Sequence, residues 1–176
     1  MKTPAIVSAQ EWEAARQELL IEEKEMTRAR DVLATLRRRM PWLALEKPYV
    51  IDGPDGKASL LDLFGGRRQL IAYRTFFEPG VSGWPEHACR GCSMVADNAG
   101  HLAHLNARDT TLVFALRAPQ DDIERVKARM GWQMPWYSIT DDFDVDFGVD
   151  EWHGTNAFIR AATAFPHVLH HQQPRR

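Results

Sequence analysis

Gln69-Leu70-Ile71-Ala72-Tyr73-Arg74-Thr75-Phe76-Phe77, with Cys89-Arg90-Gly91-Cys92 a short loop later, is the stretch that decides the fold. Residues 69–77 are apolar and aromatic and bounded by turn signals, the pattern of a strand. Residues 78–88 contain two prolines and two glycines and read as a loop. Residues 89–106 read as a helix, which places both cysteines on its first turn. A helix N-terminus carries partial positive charge and unpaired backbone N–H groups. Both favour thiolate over thiol, and Arg90 adds a cation. The two-residue spacing lets both sulfurs meet within one turn, so that one thiol attacks a disulfide and the other resolves the mixed disulfide. In this strand-then-helix setting the Cys-x-x-Cys pattern is a strong redox signal.

Downstream, residues 110–116 form a second strong strand, and Pro119 opens a helix that runs to Met130 and stops at Gly131. Residues 136–139 and 155–160 read as strands, separated by an acidic loop over 141–150. Upstream, residues 49–51 are a short strand, 52–56 a turn, and 60–64 a helical turn closed by Gly65-Gly66. Strands alternating with helices imply parallel strands and crossover helices, an α/β protein. Residues 8–40 read as a long helix. Ser8 and Glu11 form a capping-box pattern, and Pro41 ends the run. Trp12, Ala15, Leu19, Met26, Ala29, Leu33, Leu36 and Met40 recur at alternating spacings of three and four, with Glu22 the polar intruder. This stripe packs either on the rest of the monomer or on a second subunit, giving a homodimer.

The 176 residues suit one domain of ordinary size. A net charge of −2 gives no basic footprint, which argues against nucleic acid; Arg37-Arg38-Arg39 reads as a solvated helix face. No run approaches the roughly 20 apolar residues of a membrane span. The first ten residues lack a long apolar stretch, so a cytoplasmic setting is expected. Thiols stay reduced there, and a cysteine pair is then catalytic or metal-binding rather than a staple. The metal alternative uses both thiols and His87 to hold zinc or copper. His101 and His104 share a helical face, but on a continuous helix His101 lies roughly 13 Å beyond Cys92. Asp141, Asp142, Asp144 and Asp146 lack the glycine and terminal glutamate of a calcium loop. No cofactor or resident metal is expected. Trp84 either packs or shields the thiols; Trp132 and Trp136 belong to the core; Asp97 is a solvated helix residue or tunes a thiol.

The residues also carry a family likeness. Glu23-Lys24-Glu25-Met26-Thr27-Arg28-Ala29-Arg30-Asp31, Glu46-Lys47-Pro48-Tyr49, Leu61-Asp62-Leu63-Phe64, Cys89-Arg90-Gly91-Cys92-Ser93 and His104-Leu105-Asn106-Ala107-Arg108-Asp109 resemble, in order, the motifs of a bacterial family of uncharacterised proteins. That family is regarded as thioredoxin-like dithiol–disulfide oxidoreductases. The resemblance implies a three-layer α/β/α thioredoxin-like fold with a mixed central sheet, in a peroxiredoxin-like variant. It implies a helical extension over 1–41, the thioredoxin-like domain over 42–160, and a protein or small-molecule thiol or disulfide as substrate. The thioredoxin analogy makes Cys89 the attacking thiol and Cys92 the resolver; the peroxiredoxin pattern, matched by Pro85, favours Cys92. His153-Gly154-Thr155-Asn156 holds neither the proline of thioredoxins nor the arginine of peroxiredoxins, which argues against peroxidase activity. The tail over 161–176 departs from the family in the manner of a frameshifted, disordered end, so the last strand is expected to be missing.

Overall fold

A computed structural model describes residues 3–140, 142–149 and 153–161, together with the backbone of 168–172. The capping box forms as expected. Glu11 Oε2 accepts from the Ser8 N–H at 2.9 Å and the Ser8 hydroxyl at 2.6 Å, and Ser8 Oγ accepts from the Glu11 N–H at 3.3 Å. This starts one unbroken helix, α1 (Ala9–Arg39), of which no residue is buried. The chain divides into two compact units, Met1–Pro41 and Trp42–Arg176.

The second unit runs β1 (Leu43–Leu45), β2 (Val50–Gly53), β3 (Gly56–Ser59), a 3-10 turn (Asp62–Phe64), β4 (Gln69–Arg74), α2 (Arg90–Asp97), α3 (Ala103–Asn106), β5 (Thr110–Leu116), α4 (Gln120–Met130), β6 (Trp136–Ile139), α5 (Phe143–Asp146), β7 (Gly154–Arg160) and β8 (Val168–Gln172). The strands form one mixed sheet in the order β1-β8-β7-β4-β5-β6-β2-β3. The centre, β4, β5 and β6, is parallel, as crossover helices require. β7 and β8 return antiparallel, and the β2–β3 hairpin closes the far edge against β6.

Alternation along the strands divides the core in two. Leu70, Ala72, Val113 and Ala115 face Phe143, Phe147 and Phe158. Phe114 and Leu116 face Cys92 and Ala96 of α2 and Ile123 and Val126 of α4. The result is a three-layer α/β/α domain with the thioredoxin-like course, a parallel strand–helix–strand centre followed by antiparallel strands.

Four expectations are corrected. The last strand is present. β8 lies between β7 and β1, where it occupies the hydrogen-bonding edge that β7 would otherwise expose. Residues 162–167 and 173–176 of the expected disordered tail lie outside the described residues, as does Asp141. The expected helix over 89–106 is two helices: α2 ends at Asp97, Asn98 Nδ2 donates to the Met94 carbonyl, and Gly100 takes φ +66°. That left-handed turn is natural to glycine and outweighs the apolar continuity of Met94, Val95 and Leu102. Finally, the acidic loop contains a helical turn, α5, and β1 and β3 exist as strands only through pairing with distant or hairpin partners.

Candidate functional site

The loop after β4 returns the chain to the start of α2, where Cys89 is the N-cap residue, with φ −54° and ψ 118°. Its carbonyl accepts from both the N–H and the hydroxyl of Ser93, each at 3.0 Å, which fixes the first turn. Both cysteines are free thiols. Their surroundings differ. Cys89 is half-buried and lines an open cleft of about 830 Å³ with Ser82, His87, Ala88, Arg90 and Gly91. Arg90 is exposed there, beside Cys89 at the helix start. Cys92 is only 2% exposed and faces inward.

The buried sulfur has directed partners. The Phe76 N–H donates to Cys92 Sγ at 3.2 Å, and the Tyr73 hydroxyl donates at 3.9 Å. Burial pushes the Cys92 thiol up from its ordinary value; the Phe76 N–H opposes this, the neighbouring Cys89 thiol adds to it, and Tyr73 opposes it slightly. Tyr73 is itself pushed upward, first by burial and then by Cys92. At neutral pH Cys92 therefore rests as a thiol.

Below the pair lies an aromatic stack. Phe77 stacks on Trp84 at 5.1 Å and on Trp136 at 5.8 Å, and Trp136 stacks on Trp132 at 5.0 Å. Trp84 is thus a packing residue, 7% exposed, rather than a lid on the thiols. Asp97 is an exposed residue of α2, and its Oδ1 also accepts from Trp132 Nε1 at 2.8 Å, which pins the end of α2 to the stack.

On the opposite face of the sheet the end of β4 carries a buried cation. Arg74 is 1% exposed. Its Nε and Nη2 donate to the two oxygens of Asp144 at 2.8 and 3.0 Å, and Nη2 also reaches Glu78 at 3.1 Å. Arg117 Nε donates to Asp144 Oδ2 at 2.7 Å. The remaining Arg74 nitrogen, Nη1, donates to the Thr75 carbonyl. That carbonyl belongs to the same peptide group as the Phe76 N–H that meets Cys92. A cation on the oxygen of a peptide strengthens its N–H as a donor.

The remaining candidates are placed elsewhere. His101 Nδ1 accepts from the Ala103 N–H at 3.1 Å and starts α3. His153 precedes β7 and is exposed. Asp142 and Asp146 pair with Lys47 at 3.4 and 2.6 Å, and Asp144 with the two arginines, so these carboxylates serve cations of the chain itself. Among the described residues no group of three or more His, Cys, Asp or Glu side chains is gathered to hold a metal ion, and the zinc or copper set around His87 is not assembled. Among the same residues no helix is long and apolar enough to cross a membrane.

Residues 1–169 match the family described as "Bacterial protein of unknown function (DUF899)". The chain belongs to that family. No curated protein matches it. Among solved structures, this DUF899 chain is similar to a protein from Chlorobium tepidum assigned as a thiol:disulfide interchange protein, DsbE. Identity is 15% and the TM-score 0.42, over 73% of this chain and 84% of that one. In this DUF899 domain the cysteine pair was legible from spacing, whereas Tyr73 and Arg74 were not singled out and Asp144 was weighed only as part of an acidic run. A lone arginine on the core-facing side of an apolar strand, with an acidic run later in the chain, is the signal that points to such a cluster.

Proposed function

We propose that the domain is a thiol–disulfide oxidoreductase, an enzyme in which Cys89 attacks and Cys92 resolves. The carrying observation is the asymmetry of the pair: one free thiol opens on a cleft at a helix start, and its hydrogen-bonded neighbour is buried against a backbone N–H. Cys89 thiolate attacks one sulfur of a substrate disulfide; a Cys89–substrate bond forms and the other substrate sulfur leaves as thiolate. Cys92 then gives up its proton and attacks Cys89 Sγ. The Cys89–Cys92 disulfide forms, the first substrate sulfur leaves, and the substrate has gained the two electrons the protein has lost. A thiol donor returns the pair to the dithiol.

Each site residue has a part in this reading. Arg90 stands beside Cys89 at the start of α2 and lines the cleft with it, where it meets an incoming disulfide. The raised Cys92 thiol delays resolution, since this thiol has to lose its proton as it attacks. The open cleft suits a protein segment or a small disulfide. We further read the domain as a peroxiredoxin-like variant in a cytoplasmic setting, where the pair rests as a dithiol. The β2–β3 hairpin beside β6 supports the variant. The absence of arginine from 153–156 favours disulfide exchange over peroxide reduction.

Titration of the thiols in defined redox buffers tests the reading. The expected result is one two-electron couple that is lost in both Cys89→Ser and Cys92→Ser, with Cys92→Ser accumulating a mixed disulfide at Cys89. A Cys89→Ser variant that still captures substrate at Cys92 would reverse the roles. A wild-type pair that never closes to a disulfide would end the proposal.

A further inference from the structure

The helix α1 poses a separate problem. It is 31 residues long and buries none of them. A helix in water draws most of its stability from packing an apolar face. α1 has such a face: Trp12, Leu19, Met26, Leu33, Leu36 and Met40 are between 44% and 64% exposed. They recur every seven residues from Trp12 to Leu33 and then at three and four, the repeat of a two-helix seam.

The charges flanking this seam are sorted along the axis. Residues 9–25 hold six acidic and two basic side chains, a net charge of −4; residues 26–39 hold five basic and one acidic, a net charge of +4. Compensation of the helix's own dipole does not account for this, because that effect is confined to the first and last turns, whereas acidic residues continue from Glu11 to Glu25. A lipid surface is a poor match too, since it would favour a basic polar face and α1 has no net charge. A second α1 running the other way matches it throughout: acidic half lies on basic half twice over, and the apolar stripes meet between them. Parallel pairing would set −4 against −4 and +4 against +4.

We propose that α1 is a self-complementary docking surface on which two copies of this chain pair through antiparallel helices. The apolar seam supplies the attraction, and the divided charge sets direction and rejects the parallel arrangement.

Sedimentation of the full chain with three charge variants tests this. One carries Glu13→Lys, Glu18→Lys, Glu23→Lys and Glu25→Lys; the second carries Arg28→Glu, Arg30→Glu, Arg37→Glu and Arg39→Glu; the third carries all eight changes. The wild type is expected to sediment as a dimer, and each four-residue variant alone as a monomer. The eight-residue variant is expected to recover the dimer yet not to mix with tagged wild-type chains, because antiparallel mixing sets like charge on like. Free mixing of the eight-residue variant with wild type would overturn the antiparallel direction. A monomeric wild type, or dimers that survive either four-residue set or Leu19→Arg with Leu33→Arg, would overturn the surface itself.

Discussion

The two faces of the sheet at the end of β4 are built from opposite materials. On one, Arg74, Asp144, Glu78 and Arg117 form a charged cluster with Arg74 sealed from water. On the other, Cys92 and Tyr73 sit over a stack of Phe77, Trp84, Trp132 and Trp136. A sulfur in apolar surroundings resists ionisation, and a cation there would be costly to bury. Placing the cation across the sheet keeps the sulfur's surroundings apolar and leaves the Phe76 N–H as its backbone donor.

Removing the charged face is the strongest way to break this arrangement. Arg74→Met leaves Glu78 without this partner and Asp144 with Arg117, and is expected to cost about 1.5–3 kcal/mol in denaturant unfolding. The same change weakens the Phe76 N–H as a donor, so Cys92 is expected to ionise at still higher pH. The pH profile of Cys92 alkylation in a Cys89→Ser background checks this, and an unchanged profile in a folded Arg74→Met protein would confine the arginine to structure. Trp132→Phe keeps the stack but loses the bond to Asp97, with an expected loss of about 1 kcal/mol.

The sulfur face has its own pH signature. Because burial raises the folded Cys92 thiol above its ordinary value of 9.0, its contribution to stability is present below that value and is lost as pH climbs through the folded value. The reduced protein is therefore expected to unfold more readily at alkaline pH, with a shallower decline in Cys92→Ala. Tyr73→Phe should be the mildest change, below about 0.5 kcal/mol, since a 3.9 Å contact to sulfur is weak. It should move the Cys92 profile slightly upward.

What could be read from the sequence follows the range of the forces involved. Signals carried by neighbours along the chain were legible: the Ser8–Glu11 cap, the apolar run of β5, the Gly131 stop at φ +70° and the Cys-x-x-Cys spacing. Pro119 is the N-cap of α4 rather than its first residue, a difference of one position. Elements that exist only through distant pairing were not legible. β1 has three residues and no local signal beyond its match to β8. The site shows the same division: its cysteines were named from spacing, whereas the Arg74–Asp144 pair joins residues 70 positions apart.

That pairing of β1 with β8 has a temporal consequence. Leu43 lies opposite His170, so the earliest strand of the sheet waits for the latest. During synthesis the ribosome releases β1 long before β8, the segment that pairs with it, and β7 just before that segment, and each offers a bare hydrogen-bonding edge until β8 arrives. The growing protein is thus most vulnerable to unwanted strand exchange in the interval that ends when residue 172 leaves the exit tunnel.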